Sequence, residues 1–191
     1  SEVTNGVVVI NPEVIAEQLE AAKAQVAAAK AAGKEILVVC EKKMYAEELE
    51  ALAQKAGVAF LNYKVSGGFL TNFDTFKKRI DSINEMVSFM ETDAFASLTK
   101  KEQLVYKRNF ERANKVYKGV TKLKKRPEVV IIVDGNMLST LIDEVENLKG
   151  KLEAIVIAGT NFSRYWPENE IITTNINSYQ SLDFVLKSIL L

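Results

Sequence analysis

Anion binding is the chemistry that the residue types of this chain supply most readily. Residues 99–126 hold eleven lysines and arginines against two acids, Glu102 and Glu111. In an otherwise acidic chain, such a cluster marks an anionic partner, although a solvated helix face carries similar charge. A second candidate is Ser66-Gly67-Gly68, where glycines ahead of a helix let backbone N–H groups approach an anion. It has neither the Gly-Lys-Ser/Thr of a P-loop nor the Gly-x-Gly-x-x-Gly of a dinucleotide site, and a close strand-to-helix crossing explains it equally well. Asp134 in Val133-Asp134-Gly135-Asn136 ends a strand, where an aspartate caps the next helix or ligates a metal.

Covalent and acid–base chemistry finds little support. The 191 residues include no histidine, which removes His-based dyads, triads and imidazole metal ligands. The one cysteine, Cys40, cannot form an internal disulfide or a cysteine-rich metal site, and a reducing compartment is the expectation. No carboxylate pair is fixed by spacing. We therefore expect no catalytic residues, no metal, no cofactor and no enzyme activity. The apolar fraction of 48% suffices for one domain with a core. No apolar stretch reaches the ~20 residues of a membrane helix and no leader opens the chain, so no membrane partner is expected. The sequence begins at Ser1 rather than methionine and is read as a copy that can lack an upstream piece.

The elements that must position these residues alternate. β-Branched runs at Val7–Ile10, Glu35–Cys40, Val58–Leu61, Val129–Val133, Ala154–Ile157 and, more weakly, Ile171–Thr174 predict buried parallel strands. Helical stretches lie between them at Pro12–Ala32, Met44–Ala56 and Met137–Lys149, each followed by a glycine, and a last one runs from Ser178 to Leu191. The pattern predicts an α/β fold with helices on both faces of a twisted parallel sheet.

Phe73–Lys125 breaks the alternation. Phe73, Phe76, Ile80, Ile83, Val87 and Met90 repeat at heptad spacing, as do Tyr106, Phe110, Ala113, Tyr117 and Val120. This predicts two helices covering each other's seams as an inserted antiparallel hairpin, with Thr99 and Glu102 forming a capping box. The expected domains are residues 1–72 with 127–191, and the insertion 73–126. Arg108, Arg112, Lys115 and Lys122 each follow a seam residue by two positions, about 200° around a helix, and Lys101 continues the stripe. Lys124, Lys125 and Arg126 collect at its base. A cationic rod of this kind fits an RNA duplex backbone read through its phosphates. An acidic protein fits by charge as well.

The run Ser66-Gly67-Gly68-Phe69-Leu70-Thr71-Asn72-Phe73-Asp74-Thr75 closely resembles the Gly-Gly-x-Leu-Thr-Asn-Phe-x-Thr signature of the bacterial and organellar small-subunit ribosomal protein S-two family. Asn5-Gly6-Val7-Val8-Val9-Ile10 is similar to its Asn-Gly-strand opening, and Leu98-Thr99-Lys100-Lys101-Glu102 resembles the start of its second hairpin helix. Glu35–Lys43 and Arg126-Pro127-Glu128-Val129-Val130 are similar to two of its strand segments. Lys64-Val65-Ser66 replaces the family's Arg-Trp-Leu, and Thr160-Asn161-Phe162-Ser163 replaces its Thr-Asn-x-Asp-Pro turn.

The resemblance implies a flavodoxin-like parallel sheet with a protruding hairpin, in a structural component that binds small-subunit rRNA. The candidate rRNA-binding residues are Lys101, Arg108, Arg112, Lys115, Lys122, Lys124, Lys125 and Arg126 from the basic segment, with Gly67, Gly68, Thr71, Asn72, Lys77 and Lys78 from the motif run. Implied partners are neighbouring small-subunit ribosomal proteins, including the large one that captures messenger RNA, on a bacterial cytoplasmic or an organellar ribosome. Two other readings stay open: a phosphometabolite-binding α/β enzyme using Ser66–Gly68 and Asp134, and a coiled-coil protein-interaction module.

Overall fold

A computed structural model describes residues 2–4, 7–9 and 11–191. Asn5, Gly6 and Ile10 of the expected opening lie outside the described residues. The elements in chain order are β1 (Glu2–Thr4), β2 (Val7–Val9), α1 (Pro12–Ala31), β3 (Ile36–Val39), α2 (Ala46–Ala56), β4 (Ala59–Leu61), α3 (Phe73–Met90), α4 (Asp93–Ala96), α5 (Lys100–Tyr117), β5 (Val129–Val133), α6 (Ser139–Asn147), β6 (Glu153–Ala158), β7 (Ile171–Thr173) and α7 (Tyr179–Leu190).

Five strands form one all-parallel sheet in the order β4-β3-β5-β6-β7. Alternation along each strand explains its placement. Ile36, Val38, Val129, Ile131 and Val133 enter one apolar cluster with residues of α1, α2 and α7, while Leu37, Val39, Val130 and Ile132 enter a second with α6 and the base of α3. With both faces covered, an uninterrupted apolar run is what each strand requires. Every residue of β5 is fully buried.

The first expected strand is corrected. Val7–Val9 pairs antiparallel with Glu2–Thr4 in a separate two-stranded ribbon. A run of three valines satisfies a ribbon as well as a parallel edge, and composition does not distinguish them. The remaining strands lie where the sequence puts them, and Gly33 and Gly57 take the positive φ angles that helix ends demand, whereas α6 ends at Asn147 and leaves Gly150, also at positive φ, in the turn beyond it.

Between β4 and β5 come α3, α4 and α5. Thr99 and Glu102 form the expected capping box at the start of α5. Phe76 meets Tyr117 and Phe89 meets Tyr106, with ring centroids 6.5 and 5.2 Å apart, so positions rise along α3 as they fall along α5. The seam is shallower than expected. Phe73, Phe76, Ile80 and Ile83 are buried, but Val87 is 40% exposed and α5 buries none of its residues fully. Only the base of α3 lies against the sheet, where Phe73, Phe76 and Ile80 join the second cluster. The far end is closed by a feature the heptads did not contain, Phe95 of α4, which packs edge-on against Phe89 and Tyr106 at 5.9 and 5.6 Å. Where the chain returns to the sheet, Gly119 lies so close to β4 that a Cβ there would come within 2.1 Å of the Phe60 carbonyl oxygen.

Candidate nucleic-acid interface

The Gly-Gly turn is built around an anion that the chain itself provides. Glu144, on α6, is 6% exposed. Its Oε1 accepts from the Gly68 N–H at 2.6 Å, and its Oε2 accepts from the N–H groups of Leu70 and Thr71 at 2.8 and 3.0 Å and from the Thr71 hydroxyl at 3.3 Å. Two further N–H groups are bonded within the turn, Phe69 to the Ser66 carbonyl and Asn72 to that of Gly68. Gly68 has φ +86°, which a side chain would oppose. Leu70 is fully buried and Phe73 nearly so, and the Asn72 carboxamide oxygen accepts from the Thr75 hydroxyl. The motif that resembles the S-two signature is in these respects a recipe for one loop conformation. The candidate phosphate cradle at Ser66–Gly68 is thus met at Gly68 by a carboxylate, and a phosphate in the same place would meet a like charge.

The other half of a small-ligand site is closed in the same way. Open parallel sheets bind ligands outside the carboxyl ends of the strands where the order reverses, here between β3 and β5. Lys42 and Asp134 meet there at 2.9 Å with both side chains 13% exposed. Asp134 takes φ 69° and also accepts from the Met137 N–H at 3.1 Å. It acts as ion-pair partner and cap. Among the described residues no group of three or more acids or cysteines is placed to hold a metal ion.

Cys40 at the end of β3 is fully buried, and that burial pushes its thiol up to about 11. The thiolate is the reactive form. Native protein at pH 8 is therefore expected to resist a soluble thiol reagent and to be labelled at the rate of unfolding. Rapid stoichiometric labelling under native conditions would contradict this placement.

The candidate cations are positioned by α5 and by the return to the sheet. Lys101, Arg108, Arg112, Lys115 and Lys122 are all exposed, whereas the seam positions Tyr106, Phe110, Ala113 and Tyr117 are half-buried, as the 200° offset requires. Among the described residues, the ion pairs of the basic segment are Lys118 with Glu50 and Lys125 with Glu128; the latter contact holds the Glu128 carboxyl below its usual range. Lys115 lies 4.3 Å above the ring of Tyr63, an aromatic neighbour that the sequence did not single out. Arg108, Arg112, Lys122 and Lys124 have no acid partner among the described residues.

The structure joins the motif run to the base of the stripe. Thr71, Asn72 and Lys77 line one side of a cleft of about 430 Å³, and Lys124, Lys125 and Arg126 line the other. Asp74 also lines it, and Lys77 makes an ion pair with Asp81 one turn further on. Lys78 is exposed and lies outside this cleft, as do Gly67 and Gly68. The residue that sequence reasoning missed is Glu144. Its signal was present: it falls three residues after Leu141 and four before Leu148, so a carboxylate stands on the apolar face of α6, where an acid is buried only with partners.

A sequence model of ribosomal protein S2 matches residues 1–190. The chain belongs to the ribosomal protein S2 family. It is 31% identical over 187 residues to the small ribosomal subunit protein uS2 of Francisella tularensis subsp. holarctica, an alignment covering 97% of this chain and 76% of that relative. The uS2 protein of Coprothermobacter proteolyticus is 34% identical over 144 residues, covering 75% of this chain and 54% of that relative. Membership in the S2 family accounts for the parallel sheet and for the motif run together, and no helix among the described residues is long and apolar enough to cross a membrane.

Proposed function

We propose that this chain is a structural constituent of the small ribosomal subunit that binds small-subunit rRNA and is not an enzyme. The observation that carries the rRNA reading is the cleft between the start of α3 and the segment that leads back to β5, where six candidates from two distant stretches converge. Above it, the exposed stripe of α5 runs away from the sheet. In this reading α3 and α5 are a short antiparallel coiled-coil arm, residues 73–126 are a unit inserted into an α/β body formed by 1–72 and 127–191, and the arm lies along phosphates of an RNA duplex. Neighbouring small-subunit proteins, including the messenger-capturing one, are the other partners, on a bacterial or organellar ribosome. The enzyme reading loses support because its two sites are occupied by Glu144 and by the Lys42–Asp134 pair.

The test is association with the particle. Tagged full-length chain, expressed in cells depleted of their own family member, is expected to sediment with small subunits through a sucrose gradient and to stay there through a wash at moderate salt. Recovery of the folded chain only at the top of the gradient would overturn the reading.

A further inference from the structure

We infer that Glu144 is a positioning residue of the rRNA interface: an internal carboxylate that takes the place of a phosphate in the 68–71 turn and thereby fixes Thr71 and Asn72 on the wall of the basic cleft. This rests on the rRNA reading above and adds a residue that touches no RNA. A turn whose N–H groups converge is an anion site in its own right, and leaving such donors buried without a partner is costly. Here three N–H groups and one hydroxyl converge on a single carboxylate at 2.6 to 3.3 Å. Two of those four bonds come from Thr71, which lines the cleft, and the next residue, Asn72, lines it too and precedes the first turn of α3. Glu144 is therefore one bond from the cleft wall and screened from the cleft itself, since it is 6% exposed. Without an anion in the turn, the convergent N–H groups would repel one another and the wall would lose its fixed shape.

The inference has a sign that electrostatics alone does not share. Removing an acid near an RNA surface should tighten binding if only charge matters; removing a positioning carboxylate should weaken it. The experiment compares wild type, Glu144→Gln and Glu144→Ala by hydrogen exchange and by binding to purified small-subunit rRNA at several salt concentrations. Exchange at the amides of Gly68, Leu70 and Thr71 is expected to rise while that of Ile131 and Ile132 stays slow. Affinity for rRNA is expected to fall about tenfold, with the slope of log affinity against log salt unchanged because no phosphate contact by a cation is lost. In Glu144→Ala, acetate at constant ionic strength is expected to restore both the protection and the affinity. Equal or tighter rRNA binding by Glu144→Gln with faster exchange in the turn would overturn the inference and leave the rRNA reading standing. Unchanged exchange at Gly68, Leu70 and Thr71 would overturn it as well. A Lys124→Ala, Lys125→Ala double variant that binds rRNA like wild type would instead remove the cleft from the rRNA reading itself.

Discussion

Replacing Arg108, Arg112, Lys115 and Lys122 together by alanine is expected to flatten the slope of log affinity for small-subunit rRNA against log salt by about 3, since each lost phosphate contact contributes about 0.7 to 0.9. All four side chains are exposed and Arg108, Arg112 and Lys122 have no acid partner among the described residues, so the fold should be untouched and the circular dichroism spectrum unchanged. The control is a second quadruple variant with the same loss of charge, at Lys23, Lys55, Lys149 and Lys151, which are exposed positions outside the arm. A general attraction between a more or less cationic protein and RNA would change both variants alike. Equal slopes for the two would remove the arm from the interface. At near-physiological salt the difference corresponds to orders of magnitude in affinity, which filter binding reads easily.

The second large effect concerns the arm's own stability. Ile83 is 3% exposed, and Ile83→Asp would put a carboxylate in place of a buried apolar side chain, at a cost of about 3 kcal/mol or more. Phe110 is only half-buried, so Phe110→Asp should cost less. The expected outcome for Ile83→Asp is loss of amide protection in α3 beyond Ile83 and throughout α5, with protection in β3, β5 and β6 retained. Hydrogen exchange by mass spectrometry reads both regions in one experiment. Protection throughout α5 equal to wild type would show that the two helices do not depend on each other's seam. Global unfolding at the same denaturant concentration as arm unfolding would show that residues 73–126 are not a separable unit.

The legible parts of this protein were those in which one physical requirement dominates. Val129–Val133 reads as a buried strand because all five positions must be apolar when both sheet faces are covered, and the structure buries all five. Thr99 and Glu102 read as a capping box because the reciprocal bonds need those residue types at that spacing. The phase of the cationic stripe follows from helical geometry alone. Depth was not legible: the heptads locate the seam on α5 but say nothing of how far the partner helix covers it, and Phe95, which closes the end, belongs to no repeat. Val7–Val9 was legible as a strand and not as to its partner, because three residues carry no register. The Gly-Gly turn was the most instructive case. Its composition correctly indicates an anion, yet the anion comes from Glu144, more than seventy residues later in the chain, and nothing local in the turn reveals a partner at that distance.

The close approach of Gly119 to β4 sets a limit on aim. An 18-residue helix such as α5 is ~27 Å long at 1.5 Å per residue, so any change of angle at its Gly119 end is magnified along it. Tilting it by ~10° would carry the far end ~5 Å sideways, beyond the ~3 Å over which a hydrogen bond holds. A Cβ at residue 119 would have to push aside the Phe60 backbone itself, in a strand locked into the parallel sheet. The smallest side chain at the foot would therefore act as a lever, leaving each cation on the arm chemically intact and pointing it at the wrong place.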